Sequence, residues 1–290
     1  MNELNINTFE YYLEKPKTKL EIHPNCVRHT DKFKMKDKML LVVNCDSDIF
    51  LHPMIRSLYK NVNQDDFTFC IFDNSYSAKF NEDIYFNYDF NNILFLDNTR
   101  CYTDAVPKRW IVDVSEKMLY ENRFASIIHC KTVDFCLKYF KQEGVKDLIL
   151  VDSDVLFKQN PFNVVDRNYV CVGEYEWCHH RLAPYFLYFN LEKLELDYFD
   201  ENRMLGLSTN DLSHYDTGGS FTEDLKRTKT PYKEINKEDY ITHFGGGSYI
   251  FTHEDIKGTH NVICTKEQQR QISFDLVYKW LSENSKLYLS

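Results

Sequence analysis

At 290 residues, with 43% hydrophobic and 27% charged residues, the chain has a globular composition and the length of one large or two small domains. Its formal net charge of −9 argues against a general nucleic-acid binder, because phosphate backbones need a Lys/Arg surface. A small phosphorylated substrate stays open, since a bound metal offsets phosphate charge locally. Nine cysteines, at 26, 45, 70, 101, 130, 136, 171, 178 and 264, are odd in number and form no Cys-x-x-Cys pair. They read as buried thiols of a reducing compartment, and Cys178-His179-His180 is a weak metal cluster at most.

The amino terminus is polar and carries no signal-peptide pattern. No apolar run approaches the roughly 20 residues that span a bilayer. The expected location is therefore cytoplasmic. The basic run Lys32 to Lys38 reads as a solvated face, with peripheral contact to anionic lipid as the alternative.

After a polar lead-in (1–38), the first strand is expected over Met39 to Cys45 and ends in Asp46-Ser47-Asp48. His52-Pro53 then precedes a helix-like stretch, Met54 to Lys60. Phe67 to Phe72 and Asn92 to Leu96 are further strands, followed by Asp73-Asn74-Ser75 and Asp97-Asn98. Fully apolar strands separated by helices indicate a parallel sheet covered on both faces. Phe124 to Phe140 carries apolar residues at three-to-four spacing, a helix that Gly144 can terminate.

The strand that follows, Leu148-Ile149-Leu150-Val151, runs directly into Asp152-Ser153-Asp154. This is a β-α-β unit that delivers two carboxylates to the carboxyl edge of a sheet, where open α/β folds bind ligands. If the turn curls, both acids converge on one hard cation such as Mn²⁺ or Mg²⁺. The same triplet is also ordinary turn chemistry. Strands are expected over Tyr169 to Gly173 and Tyr185 to Phe189, and an amphipathic helix over Ile272 to Leu281 covers the body. Glycines follow Asp216 at 218 and 219, and follow His243 at 245 to 247. His179-His180-Arg181 reads as a solvated loop, with a phosphate or acidic sugar on an acceptor as the sharper alternative.

The order of these features resembles the GT-A fold glycosyltransferases, which use nucleotide-sugar donors. The resemblance rests on Val42-Val43-Asn44, Phe72-Asp73-Asn74-Ser75, Ser126-x-x-His129 leading to Leu150-Val151-Asp152-Ser153-Asp154-Val155, Tyr185 to Asn190, and His243-Phe244-Gly245-Gly246-Gly247-Ser248. It covers about residues 39–250. It implies an α/β, GT-A-like mostly parallel sheet with helices on both faces. Residues 39–165 would form the nucleotide-sugar-binding half and 166–290 a loop-rich acceptor-binding half of one continuous domain.

The resemblance further implies Asp152, Asp154 and His243 as ligands of Mn²⁺ or Mg²⁺. Asn44, Asp46, Asp73, Asn74, Ser126, His129, Asp152 and Ser153 would line the nucleotide-sugar pocket, with a UDP-sugar favoured. The acceptor would be a glycan, a lipid-linked glycan or a protein. Asp216 is the candidate base of an inverting transfer, in competition with Asp211, Glu223 and Asp224; a retaining enzyme would lack it. A haloacid-dehalogenase-like phosphatase using Asp46 and Asp48 is the rival enzyme. The residues two after the second Asp, Phe50 and Leu156, are not the Thr or Val it would carry. A non-catalytic sugar- or nucleotide-binding protein on the same scaffold is the third reading.

Overall fold

A computed structural model describes residues 26–29, 33–44, 48–73, 92–97, 129, 132–177, 180–195, 217–245 and 266–289. Its centre is an eight-stranded sheet. In chain order the strands are β1 (Cys26–His29), β2 (Lys38–Asn44), β3 (Thr68–Asp73), β4 (Ile93–Asp97), β5 (Asp147–Asp152), β7 (Cys171–Glu176), β8 (Arg181–Asn190) and β9 (Tyr232–Glu234). Across the sheet they run β1-β4-β3-β2-β5-β8-β7-β9. The four central strands β4, β3, β2 and β5 are mutually parallel, while β1 and β8 flank them antiparallel. A separate two-stranded sheet pairs β6 (Val155–Phe157) with β10 (Ile241–His243).

The chain moves outward from β2 through β3 to β4, then returns to lay β5 on the other side of β2. This reversal is a topological switch point, with ligand space beyond the carboxyl ends of β2 and β5. Val43 of β2 lies beside Asp152 of β5, and Asn44 beside Asp73 of β3.

The central strands are apolar throughout because both faces are covered, as a parallel sheet between two layers of helices requires. On one face Met39, Leu41, Leu148 and Leu150 pack with Val133, Cys136, Leu137 and Phe140 of helix α2 (132–142). Phe221 and Leu225 of helix α3 (Gly219–Thr228) join the same core. On the other face Leu40, Val42, Ile149 and Val151 meet Leu51, Met54, Ile55 and Leu58 of helix α1 (Asp48–Tyr59). Each such side chain contributes about 1.5–3 kcal/mol when fully buried. Cys70, Cys136 and Cys171 are buried free thiols in these cores, and burial pushes the pKa of all three up.

Several boundaries differ from the sequence reading. Helix α1 begins at Asp48 and contains Pro53, which the sequence placed ahead of it. Pro53 gives up one intrahelical hydrogen bond, and burial of Phe50, Leu51, Met54 and Ile55 around it outweighs that loss. Helix α2 stops where expected. Gly144 sits at φ +85°, with Val145 N–H donating to Phe140 O and Gly144 N–H to Lys141 O, the paired closure of a left-handed helix end.

Helix α4 (Lys266–Glu283) spans the expected segment, and among its described side chains, 274–283, Val277 and Leu281 are buried with Trp280 beside them. Phe274, Leu276 and Tyr278 face solvent. No helix among the described residues is long and apolar enough to cross a membrane.

Strand β8 is the largest surprise, ten consecutive buried residues that begin at Arg181. Gly173 of β7 pairs with Leu187, yet Tyr175 pairs with Leu182, so residues 183–186 oppose Glu174 alone. Pro184 lies inside this bulge, where the ladder needs no donor from it. The bulge re-aims Tyr185, with consequences for the site.

The foot of β5 is fixed by Asp147. Its buried carboxylate accepts from Arg167 Nη2 at 2.6 Å and Nε at 3.2 Å, and from the Tyr188 hydroxyl at 2.9 Å. Asp147→Ala strands the buried Tyr188 hydroxyl, while the half-exposed Arg167 recovers water. The expected loss is about 2–3 kcal/mol by urea denaturation, the cost of a buried unsatisfied donor plus a lost charged bond. Asp147→Asn, which still accepts from Tyr188, is expected to lose roughly half of that.

Candidate metal site

Beyond Asp152 the chain turns through Ser153 and Asp154 into β6, which leaves the main sheet to pair with β10. In that pairing His243 lies opposite Val155, and Phe244 N–H donates to the Asp154 carbonyl at 3.0 Å. The Phe244 ring is held between Phe50 and Trp280, at centroid distances of 5.1 and 5.5 Å. A short backbone pairing and one aromatic anchor thus carry His243 to the Asp-x-Asp turn from a distant part of the chain.

One ligand atom each of Asp152, Asp154 and His243 fall within 4.8 Å of one another. His243 Nε2 lies 3.1 Å from Asp154 Oδ1 and 3.9 Å from Asp152 Oδ2. That nitrogen is buried and faces the Asp154 carboxylate without a well-directed hydrogen bond. Buried polar atoms rarely stay unsatisfied, so a nitrogen and two carboxylates converging side by side fit the donor set of a hard or borderline divalent cation. Burial works against the imidazolium form of His243. The adjacent Asp154 carboxylate, then Asp152, outweigh it, and the ring's pKa is raised.

Asp152 stands between two imidazoles, with His129 Nε2 3.9 Å from its Oδ1. The other ring nitrogen of His129 is 3.0 Å from Thr217 Oγ1. Arg181 donates to the Thr217 carbonyl through Nη1 and to Glu176 Oε2 through Nε, both at 2.8 Å. The sequence reading of Arg181 as part of a solvated loop is thereby corrected: it is buried at the start of β8, its charge met by Glu176.

On the opposite side Tyr185, re-aimed by the bulge, lays its ring 4.4 Å from that of His243. Its hydroxyl donates to Glu174 Oε2 at 2.5 Å and accepts from Lys237 Nζ at 3.2 Å. Lys237 also pairs with Glu174 at 3.2 Å. Burial first, then the bond to Glu174, raises the Tyr185 pKa so far that the phenol stays protonated.

Asn44 Nδ2 donates to Asp73 Oδ1 at 3.1 Å, and both residues are fully buried at adjoining strand ends. Ser153 is buried in the turn. The structure therefore brings Asn44, Asp73, His129, Asp152, Ser153, Asp154 and His243 to one sheet edge. Asp46, Asn74, Ser126, Asp211 and Asp216 lie outside the described residues. Of the rival bases, Glu223 is exposed on α3 and Asp224 is buried with Arg227 Nη2 at 3.0 Å. Sequence reasoning missed Thr217, Glu174 and Lys237. Their roles depend on partners far along the chain, and none carries a local pattern.

No protein-family model and no curated protein matches the chain. Solved structures similar to it include a Desulfovibrio desulfuricans protein described as a nucleotide-diphospho-sugar transferase, at 9% identity and TM-score 0.43, covering 85% of this chain and 99% of that one. Mouse xyloside xylosyltransferase 1 is similar at 11% identity and TM-score 0.42, covering 69% of this chain and 85% of that one. A glycosyltransferase from Streptococcus pneumoniae is similar at 9% identity and TM-score 0.41, covering 87% and 64%. All these TM-scores lie below 0.5, a likeness too remote to carry a statement about activity.

Proposed function

We propose that the chain is a metal-dependent glycosyltransferase that moves a sugar from a nucleotide-sugar donor, with a UDP-sugar favoured, to a glycan, lipid-linked or protein acceptor. The observation that carries this is the convergence of Asp152, Asp154 and His243 at the switch point of a doubly wound sheet. The two carboxylates suit Mg²⁺ and Mn²⁺, and the imidazole moves the preference toward Mn²⁺. A divalent cation held there would neutralise the charge that develops on a departing nucleoside diphosphate.

The chain's own residues do the remaining work. His129, held by Thr217, faces the Asp152 carboxylate. The Tyr185 ring fixes the plane of His243. Asn44 and Asp73 form a buried, hydrogen-bonded floor at the strand ends. Asp46, Asn74 and Ser126 complete the donor pocket in this reading. Asp216, next to the anchored Thr217, takes the proton of the acceptor hydroxyl if transfer is inverting.

Thermal melting against nucleoside diphosphates, with Mn²⁺, with Mg²⁺ and with EDTA, tests the reading. At a hundredfold excess over its dissociation constant, the right nucleotide stabilises the fold by about 2.7 kcal/mol. The expected result is a shift of several degrees with one nucleotide, UDP first, that EDTA abolishes. No shift with any nucleotide in either metal would sink the transferase.

A further inference from the structure

Trp177 is the most exposed large hydrophobic residue among those described, at 75%, and it immediately follows Glu176 at the end of β7. An isolated exposed aromatic needs no explanation by itself, but this one is backed. Its ring meets Tyr175 edge-on at 4.9 Å. Tyr175 is in turn clamped by Lys226, whose Nζ donates to the phenol oxygen at 2.7 Å and lies 4.2 Å from the ring centroid. The Glu176–Arg181 pair, at 2.8 Å, closes the strand ends, and Leu182 N–H is tied to Thr222 Oγ1 at 2.7 Å.

The register places this platform relative to the candidate metal site. Gly173 of β7 is level with Leu187 of β8, and Leu187 with Leu150 of β5. Strands β5 and β7 run in the same direction, so Asp152 and Trp177 both lie beyond that level at the same edge of the sheet. With β8 between the two strands, Trp177 sits about 10 Å to the side of Asp152. Tyr175 shares its core with Leu148 and Leu150. By strand alternation, Trp177 and Asp152 therefore project from the same face and edge. Thr217, next to the candidate base, is bonded to Arg181 between them.

A rigid indole backed by a second aromatic and open to solvent matches the apolar face of a sugar ring. The offset from Asp152 exceeds the reach of a single ring. We infer that Trp177, on its Tyr175–Lys226 backing, is a stacking platform for a sugar ring of an oligosaccharide acceptor, at least one unit removed from the ring that receives the transfer. This rests on the transferase reading and narrows its acceptor to an oligosaccharide.

The test is a glycan array probed with the full chain presented multivalently on streptavidin, in UDP and Mn²⁺, as wild type, Trp177→Ala and Trp177→Phe. The wild type is expected to bind a defined set of oligosaccharides. Trp177→Ala should lose that binding tenfold or more, the effect of truncating an aromatic anchor, and Trp177→Phe should keep part of it. All three should melt alike, because the side chain faces solvent. No binding by the wild type, or equal binding by Trp177→Ala, overturns the platform. The melting shift with UDP and Mn²⁺ separates the two readings. A shift with Trp177-independent glycan binding fells the platform alone. Trp177-dependent binding without a nucleotide shift upholds the sugar site and fells the transferase.

Discussion

Asp154→Ala is expected to reduce consumption of the nucleotide sugar by three orders of magnitude or more while leaving the fold intact. Its carboxylate is the closest partner of His243, at 3.1 Å, and is almost wholly buried. Without it, a cation at the site keeps one carboxylate and one imidazole. Removing a single preorganised electrostatic group costs about 10²–10³ in turnover, and the loss of a charged ligand removes more.

Stability should move the other way. The substitution leaves in place the Asp154 carbonyl that binds Phe244 N–H, so β6 and β10 stay paired. It also removes a buried acid from beside a second acid, a cost that active sites commonly carry. In EDTA at alkaline pH, where His243 is neutral and the pairing of its imidazolium with Asp154 no longer contributes, the variant is expected to melt at or above the wild type, and the Mn²⁺-dependent shift with nucleotide should vanish. Wild-type consumption of donor by Asp154→Ala, measured in a single-turnover assay with Mn²⁺, would remove the metal from the mechanism.

The parts of this site that were legible in the sequence are those built from long apolar strands. β2, β3, β4 and β5 are buried on both faces, so Met39 to Asn44 and Leu148 to Val151 read as continuous hydrophobic runs, and the acids after them mark the strand ends. His243 was legible only through its resemblance to a family pattern. Its placement depends on β10, a strand of three residues whose pairing with β6 carries no periodicity of its own. Edge strands β1 and β9 were missed for the same reason, being short and, in β9, largely polar.

Arg181 was misread because two histidines precede it and the local composition is that of a loop. What buries it is Glu176 across a hairpin and the Thr217 carbonyl, neither of which local sequence can pair with it. Tyr185 was correctly put in a strand, but its aim at His243 comes from the bulge around Pro184, which is visible only in the shift of register against β7.

That same junction carries the largest stability effect expected outside the hydrophobic cores, at Gly218. This residue caps α3 at φ +95° and ψ −9°, and a Cβ added to it would stand 2.7 Å from the Leu182 carbonyl oxygen. Leu182 cannot retreat freely, since its N–H is bonded to Thr222 Oγ1, which itself donates to the Gly218 carbonyl, both at 2.7 Å. Gly218→Ala therefore meets two costs. The left-handed backbone takes about 1–2 kcal/mol from any residue with a Cβ, and overlap in a locked contact takes roughly 1–3 kcal/mol more.

Gly144→Ala supplies the comparison, because Gly144 has a similar φ of +85° and nothing within 4 Å of an added Cβ. Urea denaturation should give about 1 kcal/mol for Gly144→Ala and about 3 kcal/mol for Gly218→Ala, the difference measuring the contact itself. Equal losses would mean that the start of β8 yields and that the junction is not rigid. A rigid junction has a functional consequence. Any shift that relieves Gly218 displaces Thr217, and with it the hydroxyl at His129 and the carbonyl at Arg181. Gly218→Ala should then lower turnover as well as stability, whereas Gly144→Ala, at the far end of α2, should lower stability alone.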